Sequence, residues 1–415
     1  MGDVMTVTEA RSWTNEADLA RPQPLGLFDG PAGLLLLGSE EGSGELLAAL
    51  AQGDLPEAWP APAGVLAATL AGDIPGALAL LGDGPLDSVN RLVLAPASDS
   101  LGAARLAARD DDRLSCVVEA AAYASGLTDR PPERAGLDGE FAVLALSVRA
   151  ARALEFNDGR RAVRALEDAV PEAAATGPVL HARVLAMLAE QGGRGHGNTA
   201  LAAERYGLAA ELLCGTGFGP LRANLLLERG VLLHQMAEVD RHLLLEAVQC
   251  YQGALLSLDQ TREPEQFALA NMNIGIAILA MPMTQASDQV RLGVAVQSLR
   301  AALGVYRPET HGYEWSSSQM NLANALQYLP STHQEDNLRE AVDLYEEVLG
   351  HRSRRADPAG YARVLANQAN ALAHLGALAD AEARYGEARE LFAGVGDADA
   401  TGVIDRQLAE IEALR

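Results

Sequence analysis

The sequence predicts an all-α protein, an α-solenoid of antiparallel helix hairpins, and three observations predict it. Of the 415 residues 49% are hydrophobic but only 4% aromatic, and the apolar mass is mainly Ala and Leu, small or unbranched side chains that favour helices. Alternating runs of Val, Ile, Thr and Tyr are sparse, which weighs against a sandwich, a barrel or a doubly wound sheet. Small residues recur at a helical period and at long range: Gly230, Gly275, Ala323 and Ala369 follow one another at steps of 45, 48 and 46 residues, the mark of a repeat array.

Taken in order, the first 60 residues and the two that follow hold Pro22, Pro24, Pro31, Pro56, Pro60 and Pro62 among many glycines and predict loops and short helices, an irregular cap. Val65, Ala77 and Leu81 then repeat the spacing of the array once. From residue 141 the pattern is clear. Ala247, Tyr251 and Ala254 are matched by Ala341, Tyr345 and Val348, by Ala295, Leu299 and Ala302, and by Ala381, Tyr385 and Ala388. Upstream it continues as Ala202, Tyr206 and Ala209 and as Ala162, Leu166 and Ala169. Steps of four and three place each trio on one helical face. Each such helix is preceded by another bearing its own small residue. Prolines 264, 308 and 358 fall between units, where they end helices and restrict the residue before them. Ile404, Leu408, Ile411 and Leu414 share one face of a final amphipathic helix, a cap over the last hairpin.

The tightest unit, Ala369, Leu372, Leu375, Gly376, Ala381, Tyr385 and Ala388, steps 12 residues from the small residue of its first helix to the Ala of its second. That spacing, with an aromatic four further on, resembles the tetratricopeptide repeat family. Two antiparallel helices approach closely only where side chains are small, and the bulky neighbour fills the space beside the contact. The units exceed the usual period of about 34 residues, and in this they resemble the elongated repeats of kinesin light chains and bacterial peptide sensors. The resemblance implies a right-handed superhelix and three regions: an acidic, irregular helical stretch over 1–140, an array of about six units over 141–395, and a capping helix over 396–415.

Charge limits the partners. The net charge is −24, every cation is arginine because lysine is absent, and residues 1–140 carry −14 of the total. Such a field repels phosphate backbones and excludes a nucleic-acid reader. No run approaches the roughly 18 apolar residues of a membrane span, Leu34–Leu37 being far too short. Cys116, Cys214 and Cys250 are odd in number and widely spaced, so neither a disulfide framework nor a zinc site is expected. With acids preceding any cation in residues 1–20 and no apolar core there, the chain reads as cytoplasmic. Its lysine-free, Ala-, Gly- and Arg-rich composition suggests a bacterial source.

Signatures of catalysis are missing. No HExxH, GxSxG or paired CxxC occurs, and no cofactor, metal or enzymatic activity is expected. The glycine-rich stretch Gly192–Asn198 follows a helix rather than a strand and reads as a turn with Asn198 as a helix cap.

More informative is a polar column on the first helices. Two positions before the small residues stand Glu228, Asn273, Asn321 and Asn367, and one position after come Asn324 and Asn370. Asparagine is a mediocre helix former, so its recurrence needs a cause. The resemblance places these columns in a concave groove where carboxamides, which both donate and accept, grip the backbone of an extended peptide; Asn224, Gln327, Arg363 and His374 extend the set. On this reading, alanine at Asn321, Asn324, Asn367 and Asn370 weakens partner capture and leaves melting nearly unchanged. With Arg363 the one cation in these columns, a neutral or basic extended segment of another protein is the expected ligand. The expected function is a non-enzymatic protein–protein interaction module; the alternatives are an assembly or maturation chaperone for a larger enzyme complex and a peptide- or small-ligand-sensing regulator.

Overall fold

The computed structural model describes residues 19–134, 136–193, 198–282 and 288–413. Residues 1–18, the Arg194–Gly197 portion of the glycine-rich stretch, residues 283–285 of one hairpin turn and Leu414 lie outside them. The chain forms two compact units, Met1–Leu225 and Leu226–Arg415. Among the described residues both are helical, with no β-strand beyond an isolated bridge between Leu19 and Gly38.

The first unit opens with an irregular segment and a 3-10 turn, Gly30–Leu34. There follow α1 (Ser43–Gln52), a 3-10 turn at Ala61–Ala63, α2 (Gly64–Leu70), α3 (Ile74–Ala79), α4 (Pro85–Leu94), α5 (Ser98–Ala107) and α6 (Asp112–Ala124). Longer helices come next: α7 (Gly139–Glu155), α8 (Gly159–Thr176), α9 (Pro178–Gly193), α10 (Thr199–Leu212) and the start of α11 (Gly219–Met236). α7 packs on α8 and α9 on α10 as antiparallel hairpins, with α8 against α9 joining them. Asp158 and Asn198 cap α8 and α10, each accepting a backbone N–H three residues on, from Arg161 and Leu201. Both caps replace a missing intrahelical partner.

In the irregular segment, residues 20–37 lie in no strand ladder beyond the Ala20 N–H donated to the Leu37 carbonyl at 3.1 Å, and two side-chain amides stand in for the ladder. Gln23, fully buried, donates to the Ala20 and Leu37 carbonyls at 2.6 and 2.8 Å and accepts the Leu37 N–H at 2.9 Å. Asn90 of α4 clamps Leu36 at both backbone groups, each at 2.8 Å. Buried loop backbone is thereby satisfied, and Leu25, Leu27, Leu35 and Leu36 can be sunk in the core.

The second unit holds the rest of α11, then α12 (Leu243–Leu255), α13 (Pro264–Ala280), α14 (Asp288–Leu303), α15 (Gly312–Tyr328), α16 (Gln334–His351), α17 (Pro358–His374), α18 (Leu378–Gly394) and α19 (Ala398–Ala413). Consecutive helices pack on one another throughout, and first helices also touch, α13 on α15 and α15 on α17. Pro264 and Pro358 open their helices at the first position rather than closing the preceding ones, where the missing N–H is harmless. α19 buries Ile404 and Ile411 in the common core.

The small-residue columns are where helices meet. The repeat-column alanines of the second helices, from Ala162 and Ala169 to Ala381 and Ala388, are fully buried. A Cβ on Gly230 would stand 2.4 Å from the Tyr251 ring, and one on Gly275 would stand 2.5 Å from Leu299 Cγ. In these two hairpins the bulky residue of the second helix lies directly on the first helix's glycine. This is the tetratricopeptide-like hairpin that the spacing predicts, and the α-solenoid fold class is what each unit displays.

Candidate functional site

Nine of the ten candidate residues lie in the second unit; Asn224 belongs to the first. Asn224 and Glu228 are exposed on α11 and have polar partners of their own. Arg363 and His374 are exposed on α17. Asn321 is half-buried and turns its amide back onto its own helix, donating to the Ser317 carbonyl at 2.9 Å.

Four of the residues come together around a tyrosine. The buried Tyr345 hydroxyl of α16 donates to Asn324 Oδ1 and accepts from Gln327 Nε2, both at 2.6 Å. From α17, Asn367 Nδ2 donates to the same Asn324 oxygen at 3.2 Å, while Asn370 Nδ2 donates to Gln327 Oε1 at 3.0 Å and to the Tyr328 hydroxyl at 3.3 Å. Gln334 Nε2 adds a bond to the Gln327 carbonyl at 2.9 Å. Burial raises the Tyr345 hydroxyl well above the ordinary phenol range, so it is a neutral donor.

The amides therefore tie three consecutive helices together. Alanine at Asn324 would leave a fully buried hydroxyl without an acceptor, at a cost of about 1–3 kcal/mol, so the sequence-based expectation of unchanged melting does not hold. The Asn367 and Asn370 oxygens take none of these bonds, and both residues are half-buried.

Asn273 stands apart from the network and faces a cavity of about 420 Å³ bounded by α11, α12 and α13. Val231, Gln235 and Asn273 occupy in their helices the offsets from the small residue that Asn370, His374 and Asn367 occupy in α17, so the cavity is lined by groove columns of successive first helices. His234, Glu238 and Arg241 add an imidazole, a carboxylate and a guanidinium to its wall, and Leu244 and Tyr251 give it an apolar side. Partial burial lowers the His234 pKa, keeping the ring neutral near pH 7. Sequence reasoning missed these residues because it followed the columns beyond the small residue only on α15 and α17; extending the same offsets to Gly230 names Val231 and Gln235.

The arrangement offers donors and acceptors but no nucleophile held by a base. Among the described residues there is no cluster of three metal-ligating side chains and no helix long and apolar enough to cross a membrane.

No protein-family model and no curated protein matches the chain. Similar solved structures include a Rap protein complexed with competence and sporulation factor, 13% identical, covering 84% of this chain and 95% of that one with a TM-score of 0.37. The TPR domain of P58(IPK) is 13% identical, with coverages of 84% and 96% and a TM-score of 0.28. A circular tandem repeat protein is 15% identical, with coverages of 84% and 86% and a TM-score of 0.23. The tetratricopeptide-like character of this chain rests on its own hairpins, on Tyr251 over Gly230 and Leu299 over Gly275.

Proposed function

We infer that the chain is a non-catalytic protein-interaction module whose second unit holds an extended segment of a partner along the first-helix face. The observation that carries this reading is the convergence of Asn273 and Gln235, from two successive groove columns, on one cavity of about 420 Å³. Carboxamides there can pair with a peptide N–H and C=O at once, and a wall that holds both Glu238 and Arg241 suits a segment that is neutral or carries a base beside an acceptor. The Asn324–Gln327–Asn367–Asn370 network supports the face by fixing the spacing of α15 and α17, and it leaves the oxygens of Asn367 and Asn370 unused.

The test is an array of immobilised ten-residue peptides of varied charge, probed with the whole chain and with the Asn273→Ala, Gln235→Ala and Arg241→Ala variants. Wild type should retain a subset enriched in neutral and basic peptides, and each variant should lose roughly fivefold in affinity for it, one hydrogen bond's worth. No retention by wild type, or retention unaffected by all three variants, refutes the reading.

A further inference from the structure

In the first unit the corresponding columns are already covered. Counted from the buried Ala189, residues Arg183, Met187 and Glu190 hold the offsets that Arg363, Asn367 and Asn370 hold from Ala369. Over them lies the chain's own segment Leu25–Gly30. The cover is incomplete. Between Leu25 and Phe28 on one side and Leu144, Leu180, Met187 and Leu221 on the other remains a cavity of about 360 Å³. A second depression of about 430 Å³, bounded by Leu55, Leu70, Ile74 and Phe218, adjoins it, and Phe28, Asp29, Arg183 and Leu221 line both. One ring and one ion pair, Arg183 Nη1 to Asp29 Oδ1 at 2.7 Å, partition the two chambers.

Three features define what fits. The walls are largely aliphatic, and apolar surface gains free energy when an apolar ligand removes it from water; Met187, unbranched and polarizable, adapts to whatever enters. Arg183 Nε is buried with no hydrogen-bond partner among the described residues, an unused donor beside an apolar chamber. Asp29, which takes the Arg183 Nη groups, is 90% exposed and is flanked by Gly26 and Gly30 at φ +72° and +61°, so solvent can exchange its half of the pair. The other carboxylate at the inner wall, Glu140, is engaged: it pairs with Arg21 at 2.9 Å and accepts the Gln23 N–H at 3.3 Å. Glu190 likewise has a partner within the fold.

We propose that these chambers are a binding site for an acyl chain, its carbonyl or carboxylate oxygen accepting from Arg183 Nε and its aliphatic tail filling the inner chamber. At the packing density of protein interiors that chamber takes roughly ten methylene-sized groups. The site is independent of the peptide face of the second unit, and neither reading requires the other.

Calorimetric titration of the full chain with octanoate, octanamide and octylamine tests it. Octanoate and octanamide share the acyl oxygen and differ in charge, so their ratio separates a free acid from an esterified or amidated acyl group; octylamine keeps the tail and lacks the acceptor. Saturable binding of an acyl probe at one per chain is expected, with octylamine weaker by about tenfold. Leu144→Trp, which fills the chamber, should abolish binding at unchanged helicity, and Arg183→Lys, which keeps the charge and loses Nε, should weaken it about fivefold. Met187→Phe serves in place of Leu144→Trp should the latter not fold. Octylamine binding as tightly as the acyl probes, no saturable acyl binding, or binding insensitive to filling the chamber overturns the proposal.

Discussion

The Tyr345 hydroxyl donates to Asn324 Oδ1 at 2.6 Å from the centre of a polar network that joins three consecutive helices, α15, α16 and α17. Removing either partner should therefore strand a buried donor. Asn324→Ala leaves the Tyr345 hydroxyl without its acceptor, and Tyr345→Phe leaves the buried Gln327 Nε2 without its own, so each should cost about 1–3 kcal/mol. In the Tyr345→Phe background, Asn324→Ala should lose much of its effect. Urea unfolding of the four proteins of this cycle measures the coupling; strictly additive effects show that the network does not hold the helices.

One substitution, glycine to alanine in a helix, should change sign with position. At Gly386 of α18 an added Cβ meets nothing within 4 Å, so the gain in helix propensity should stabilise the protein by about 0.5–1 kcal/mol. At Gly230 the same Cβ falls 2.4 Å from the Tyr251 ring, and overpacking should outweigh that gain and destabilise by about 1–3 kcal/mol. Replacing Tyr251 by Leu in the Gly230→Ala background should restore part of the loss. Thermal melting decides the matter; stabilisation at both glycines means that the hairpin contact has slack.

Legibility followed the same division between spacing and long-range contact. Gly230, Gly275, Ala323 and Ala369 were readable because close helix crossings demand small residues at fixed intervals, and Tyr251 and Tyr345 because the void beside each crossing must be filled. The segment from Leu19 to Leu37 was not readable, since what holds it is a pair of amides, Gln23 and Asn90, whose partners are backbone groups up to 54 residues away. Asn324 and Asn370 stand out in the sequence as helix-interior amides that need a cause. Sequence could not tell that the cause for Asn324 includes a buried tyrosine, because Tyr345 reads equally well as plain core.

Arg21 and Glu140 form an ion pair in the first unit whose carboxylate side chain is only 3% exposed. Burial pushes the Glu140 carboxyl above its ordinary pKa, opposed by the Arg21 charge and by the Gln23 N–H. Arg21→Ala should cost about 2–4 kcal/mol near pH 7, because the carboxylate is left buried without its cation. Adding Glu140→Gln, which needs no counterion and can still accept the Gln23 N–H, should recover most of it. Denaturant titrations at pH 7 compare the three; an Arg21→Ala variant as stable as wild type shows that water reaches Glu140.

Acidification below pH 6.5 should weaken the fold through two histidines. Partial burial lowers the pKa of both His181 on α9 and His234 on α11 below the ordinary 6.5. Below 6.5 the unfolded chain therefore binds protons that the folded chain still refuses, and stability falls as pH drops from 6.5 through the folded values. Glu140 acts in the opposite sense over its own range, from its raised folded value down to 4.5, and so cannot produce this loss. Urea midpoints at pH 7.5, 6.5 and 5.5, at constant ionic strength, should decline toward the lowest pH in wild type. They should decline less in His181→Gln and His234→Gln and least in the double variant. A double variant with the wild-type slope would assign the acid sensitivity to other groups.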